Sequence, residues 1–170
     1  PNIIIDTLKK EGVLSDDSSV LDLGCGLSEL GIEIRRQFNN IKYLGLDINK
    51  RLIDINNINF SLNDDYKFKV FEITSSNPDD IKNKYDTVLA GGSADNFFKI
   101  FPYISEVLKP TYIVCESHTR RGYNLDEIVE ACKGYSIKTT SEYSFTSVNG
   151  PGDPNWVGYK RKIIILERLN

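Results

Sequence analysis

Val20-Leu21-Asp22-Leu23-Gly24-Cys25-Gly26 runs on into Leu27-Ser28-Glu29-Leu30, and the rest of the chain is organised around this stretch. A short apolar strand carrying one acid, Asp22, ends in two glycines two residues apart, and a helical pattern starts at once. Glycines at that spacing let the backbone turn where a side chain would block a ligand. At the carboxyl end of a buried strand, such a turn lies where open α/β sheets bind nucleotides.

Outward from it, helical and strand patterns alternate. Residues 2–10 carry Ile4, Ile5 and Leu8 at near-helical spacing, predicting a short helix over the sheet edge that ends at Gly12. The first strand is expected over 20–23. Ser28 reads as the cap of a helix through about residue 38, with Leu30, Ile34 and Phe38 on one face. A second strand over 41–46 ends in Gly45-Leu46-Asp47 and is followed by a helix over 49–58. A third strand over 66–71 ends at Glu72. Asn77-Pro78 opens a short helix.

The fourth strand, 85–90, leads into Gly91-Gly92-Ser93. A helix over 94–108 is kinked or split at Pro102 and stopped by Lys109-Pro110. The fifth strand covers 111–115. Asn124 caps a further helix, with Glu127 in the capping-box position and Gly134 closing it. Two long strands, 135–146 and 157–166, have no helix between them. The fold class is therefore α/β: a doubly wound, mostly parallel seven-stranded sheet with an antiparallel C-terminal hairpin and helices on both faces. With no repeat or linker, the 170 residues read as a single domain, 1–170.

Composition narrows the function. A net charge of −3 carries no global basic field, so no broad nucleic-acid face is expected, although a local basic loop is compatible with it. Three cysteines without a CxxC pair, beside one histidine, argue against a metal site and against a disulfide framework. They suit a reducing, cytoplasmic setting. No apolar run approaches the roughly 20 residues of a membrane span, and no signal peptide is visible. A chain that begins at Pro1 and holds no methionine reads as trimmed, which would conceal any preceding substrate-binding segment. Oligomeric state is not written in the sequence.

Three carboxylates mark the ligand. Asp22 lies in the first strand, Asp47 ends the second and Glu72 ends the third, so all three are expected around one pocket. An acid ending the second strand suits both ribose hydroxyls. One after the third can face an adenine, and Asp22, the deepest, suits an ammonium group. The dinucleotide fingerprint GxGxxG would put its third glycine at Glu29, an acid where a phosphate would approach. S-adenosylmethionine brings no phosphate and carries a sulfonium and an ammonium, so an acid-lined site favours it.

At this point VLDLGCG (20–26), LGLD (44–47), the position of Glu72, YDTVLAGG (85–92) and LKPTYIV (108–114) resemble the successive motifs of class I S-adenosylmethionine-dependent methyltransferases. The resemblance covers about residues 20–114, and the terminal hairpin fits it. It implies a seven-stranded sheet whose last strand is antiparallel, with S-adenosylmethionine as cofactor and S-adenosylhomocysteine as product. It also implies that the Gly24–Gly26 loop holds the methionine part, Asp47 the ribose, and Glu72 with Ile73 the adenine. The cofactor-binding set is thus Asp22, Leu23, Gly24, Cys25, Gly26, Asp47, Ile48, Glu72, Ile73 and Gly91. Two positions depart from the pattern: Ser28 stands where a third glycine is frequent, and Lys109-Pro110-Thr111-Tyr112 replaces the usual KPGG. The segment Ala90-Gly91-Gly92-Ser93 is similar to its counterpart in precorrin decarboxylating methyltransferases. Signatures of amino-group nucleic-acid methylation (NPPY) and of ribose methylation (Lys-Asp-Lys-Glu) are absent.

The acceptor side is less defined. Ser93, Asn96, His118, Arg120 and Trp156 are the substrate-pocket candidates, and no catalytic set stands out. His118, following the fifth strand, is either a surface loop histidine or a base that orients the acceptor. Arg120 and Arg121 either grip an anion or are solvated. Trp156, in a proline-stiffened hairpin loop, either stacks on the acceptor or packs the loop. Cys25 reads as a packing residue, with Cys115 and Cys132 in the core. Lys160-Arg161-Lys162, early in the final strand, is expected to face water or to blunt an edge. A small-molecule acceptor follows from the missing basic face, with RNA or protein as other acceptors. Two further readings are a non-catalytic module of the same fold that binds a protein or RNA partner, and a dinucleotide oxidoreductase, which Glu29 and the final hairpin disfavour.

Overall fold

In the computed structural model, which describes residues 2–72, 81, 84–91, 100–118, 125–145 and 159–170, the opening stretch forms β1 (Ser19–Leu23), buried at every position after Ser19. β2 (Lys42–Asp47) and β4 (Thr87–Ala90) lie parallel on either side, with Leu21 opposite both Leu44 and Val88. β3 (Tyr66–Val70) extends the sheet beyond β2, and β5 (Tyr112–His118) extends it beyond β4, again in parallel. β7 (Tyr159–Arg168) then runs antiparallel between β5 and β6 (Tyr135–Phe145). The order is β3-β2-β1-β4-β5-β7-β6, as expected for the doubly wound sheet with its antiparallel hairpin. Strand order reverses between β1 and β4, so a crevice opens at their carboxyl ends.

Strands buried on both faces read as unbroken apolar runs, which is why β1 and β4 were conspicuous in the sequence. One face carries α1 (Asn2–Lys10), α2 (Glu29–Gln37) and α3 (Lys50–Asn59), and Ile5, Leu8, Ile34 and Ile53 pack there on Tyr43, Phe68, Val114 and Ile165. The other carries α4 (Phe101–Tyr103) and α5 (Leu125–Ala131), with Phe101, Ile104, Ile128 and Cys132 against Ile113, Cys115, Ile164 and Leu166. α4 continues as a π-helical turn, Ile104–Leu108, and stops at Lys109 in a left-handed conformation. Pro102 sits in the first turn of α4, where a missing N–H breaks no helical bond. Residues 94–99, the start of the helix expected there, lie outside the described residues, as do the Asn77-Pro78 helix and the Asn124 cap.

Three expectations need correction. Ser28 occupies the N-cap position of α2 but makes no side-chain cap. Its backbone is left-handed (φ 56°, ψ 41°), and its hydroxyl turns inward to the Tyr43 hydroxyl, 3.2 Å away. Glycine adopts such a φ without the strain a side chain incurs. β5 runs three residues past its expected end, so His118 is the last residue of the strand, opposite Arg161, and not part of a following loop. The final strand is shifted toward the C-terminus, ending at Arg168. At the start of α3 the Asn49 side chain caps the helix, accepting from the Arg51 amide at 3.0 Å.

Gly45, in the middle of β2, has a packing role. A Cβ there would come within 2.6 and 2.8 Å of the Phe68 ring and 3.0 Å of Cys25 Sγ. Phe68 is in turn held against Tyr43 and Phe60, with ring centroids 5.7 and 5.0 Å apart. Gly45→Ala is expected to cost about 1–3 kcal/mol by overpacking, read as a lowered urea midpoint with an unchanged slope.

Candidate active site

The glycine loop is fastened to the end of β2. Gly24 and Gly26 take positive φ, 73° and 53°. The Leu46 carbonyl accepts from the amides of Gly24 and Cys25 at 2.8 and 2.9 Å. Asp47 Oδ2 accepts from the Gly26 amide at 2.9 Å, while its Oδ1 accepts from the Asn49 amide at 2.8 Å. From α3, the fully buried Asn56 donates to the Gly26 carbonyl at 2.8 Å. Three successive amides therefore turn toward β2. A pyrophosphate bound at such a turn draws on free amides; a ligand without phosphate has no such need.

Asp22 lies under the loop and is almost wholly buried. The Tyr43 hydroxyl donates to its Oδ2, completing a chain from Ser28 through Tyr43 to Asp22. Burial pushes the Asp22 carboxyl up to about 6; the Tyr43 hydrogen bond opposes this, and the Asp47 charge adds to it. Its Oδ1 has no hydrogen-bond partner among the described residues. A cation arriving there would return the group to its ionised form. Burial raises the Cys25 thiol far above its ordinary range, so it packs and is not a nucleophile.

A cleft of about 330 Å³ opens between the loop and the far side of the sheet, with Asp22, Gly24, Cys25, Gly26 and Gly91 on one side. Glu116 of β5, Tyr143 of β6 and Arg161 of β7 close the other. Leu23 is buried at the end of β1. Asp47, partly exposed, and Ile48, exposed, stand at the end of β2, and exposed Glu72 follows β3 along the same edge. These three are not part of the cleft wall. Ile73, Ser93, Asn96, Arg120 and Trp156 lie outside the described residues. β6 is parallel to β1–β5, so it ends on the same edge of the sheet as β1 and β2.

Reading the sequence missed the cluster around Glu116. Tyr143 donates to Glu116 Oε1, and Arg161 Nη1 lies 2.8 Å from the same oxygen. Arg161 is thus not a water-facing member of Lys160-Arg161-Lys162: its side chain is 19% exposed and paired. The available signal was alternation, since Arg161 shares a face with Ile163 and Ile165, both buried. Asn56 and Tyr43 were also missed, and no motif marks them. Among the described residues no group of three metal-ligating side chains exists, no helix is long and apolar enough to cross a membrane, and the three cysteines are free.

Sheet order, fastened loop and acid-floored cleft together define a Rossmann-like group-transfer architecture. The chain belongs to the methyltransferase domain family, which matches residues 14–151, and its cofactor is S-adenosylmethionine. Comparison with curated proteins gives no match. Solved structures similar to it include a TehB-like S-adenosylmethionine-dependent methyltransferase from Corynebacterium glutamicum (16% identity, TM-score 0.65, covering 94% of this chain and 84% of that one). A precorrin-6y C5,15-methyltransferase from Geobacter metallireducens is also similar (19%, 0.63, 96% and 86%). So is an S-adenosylmethionine-dependent methyltransferase from Clostridium acetobutylicum (12%, 0.67, 99% and 90%). At these identities the likeness is one of fold.

The raised Asp22 carboxyl has a stability consequence. The folded state holds this proton more tightly than the unfolded chain, so its contribution is full below about pH 3.8 and is lost as pH rises through about 6. Asp22→Asn keeps an acceptor for Tyr43 and does not titrate. In urea titrations without ligand, variant and wild type should match near pH 4. Above pH 6 the variant should be the more stable, by as much as roughly 3 kcal/mol.

Proposed function

We propose that the cleft binds S-adenosylmethionine and that the chain transfers its methyl group to a small-molecule acceptor, leaving S-adenosylhomocysteine. The observation that carries this reading is the fastened loop: the Gly24, Cys25 and Gly26 amides are committed to Leu46 and Asp47, so the turn suits a ligand without phosphate. Asp22 meets the ammonium, and the backbone of Leu23, Gly24, Cys25 and Gly26 surrounds the methionine part. Asp47, with one amide on each oxygen and lone pairs to spare, takes the ribose hydroxyls beside Ile48. Glu72 and Ile73 flank the adenine, and Gly91 leaves room at the end of β4.

When bound, the sulfonium supplies an activated methyl group. The chain's own task is to hold an acceptor atom in line with it and to keep water out. Ser93, Asn96, His118, Arg120 and Trp156 belong to the acceptor side. A cleft of about 330 Å³ in a chain of net charge −3 favours a small acceptor over RNA or protein. A cytoplasmic setting and a single domain spanning 1–170 are part of the same reading.

Calorimetric titration with S-adenosylhomocysteine tests it. Wild type should bind, and Asp47→Ala, which loses both the ribose contact and the loop tether, should bind on the order of tenfold more weakly or worse. No binding, or binding of a nicotinamide dinucleotide instead, would refute the cofactor assignment. Methyl label from S-adenosylmethionine should appear in the small-molecule fraction of an extract; label in RNA or protein would overturn the acceptor class.

A further inference from the structure

Val114 and Glu116 of β5 face the side of the sheet that α1 and α2 cover, beside Ile163 of β7. A carboxylate on that face is costly unless it is held, and Glu116 is nine-tenths buried. Both of its donors, the Tyr143 hydroxyl and Arg161 Nη1, act on Oε1. Oε2 has no hydrogen-bond donor among the described residues. It stands 3.9 Å from the point where a side chain on Gly91 would begin. Gly91 and Glu116 both line the cleft. The pairing with Arg161 and Tyr143 fixes the Glu116 side chain in place, which leaves one well-oriented oxygen for a donor from a ligand.

Charge around the cleft indicates what that donor is. Among the described residues that line it are three acids, Asp22, Glu29 and Glu116, and one base, Arg161, which Glu116 engages. Such a wall favours a cation over an anion.

We propose that Glu116 is the acceptor-binding group of this enzyme and that the acceptor is a small primary or secondary amine, bound as its ammonium ion with an N–H on Glu116 Oε2. The inference rests on the cleft being the methyltransferase site proposed above. Glu116 takes one N–H proton, which frees the nitrogen lone pair to form the bond to the methyl group. The electron pair of the broken methyl–sulfur bond stays on sulfur, the methylated nitrogen carries the positive charge, and the proton on Glu116 passes to solvent. Tyr143 and Arg161 are positioning residues that fix the carboxylate.

The test uses the whole chain saturated with S-adenosylhomocysteine and two probes of equal size, benzylamine and benzyl alcohol, followed in amide NMR spectra. Benzylamine should shift the Gly91 and Glu116 resonances saturably, and benzyl alcohol should not. Glu116→Gln should weaken benzylamine about tenfold or more while S-adenosylhomocysteine affinity stays within about threefold of wild type. Tyr143→Phe keeps the charge and removes one donor. It should weaken the amine severalfold while leaving S-adenosylhomocysteine affinity within about threefold of wild type, a split that a merely structural tyrosine would not give. Equal response to amine and alcohol, unchanged amine affinity in Glu116→Gln, or loss of S-adenosylhomocysteine in that variant would each overturn the proposal, the last by moving Glu116 to the cofactor. If Glu116→Gln does not fold, the amine–alcohol comparison and Tyr143→Phe still decide. Failure of wild type to bind S-adenosylhomocysteine would instead end the underlying cofactor reading.

Discussion

The tie between the glycine loop and the end of β2 sets the terms for the rest of the structure. Gly24 and Gly26 give the loop its turn, but Leu46 and Asp47 give it a fixed position, by three amide hydrogen bonds to the neighbouring strand. Each is an ordinary bond of about 1 kcal/mol net; their joint effect is geometric. β2 is itself held in parallel register with β1 and β3, so the loop inherits the rigidity of the sheet. Asn56 closes the fastening from α3. A loop held in this way has its three amides committed within the protein and offers no ring of donors to the cleft.

Beneath the loop the structure tolerates an unfavourable arrangement. A buried carboxyl, Asp22, is bonded to one tyrosine hydroxyl and pushed toward its neutral form by its surroundings. Replacing it by a neutral group would ease folding at neutral pH and remove the one titrating group beneath the loop that burial disfavours in its charged form. Across the cleft, Glu116 is buried to a similar degree but answered by Arg161 and Tyr143. The two acids differ in their partners: among the described residues the first is bonded to a tyrosine hydroxyl alone, while the second has its counter-ion beside it. The site thus offers one carboxyl awaiting charge compensation and one already fixed in place.

Much of the fold was legible because buried parallel strands leave continuous apolar runs, and because Asp47 and Glu72 fall at strand ends where the topology brings them to one edge. Ser28 misled because serine before a helix is the commonest cap; only the left-handed backbone, invisible in sequence, turns its hydroxyl into the core. Extending β5 to His118 required knowing that β7 runs beside it, since Glu116-Ser117-His118 is too polar to read as a strand without its partner. Arg161 was misread for the same reason. Flanked by lysines it resembles a solvated edge, yet its strand lies inside the sheet. Asn56 and Tyr43 carry no motif, because their roles arise from contacts between elements far apart in the chain.

β7 has one further consequence. It is the last of the seven strands to leave the ribosome, yet it lies between β5 and β6 with Ile163, Ile164, Ile165 and Leu166 fully enclosed. Until it is made, β5 is an open edge and β6 has no neighbour on either side. Closure of the sheet therefore waits for β7, and until then the nascent chain carries the open edge of β5 and a wholly unpaired β6, a state prone to mispairing. The residues that complete the cleft wall, Tyr143 and Arg161, come together only at that step, so ligand-binding competence and completion of the fold arrive together.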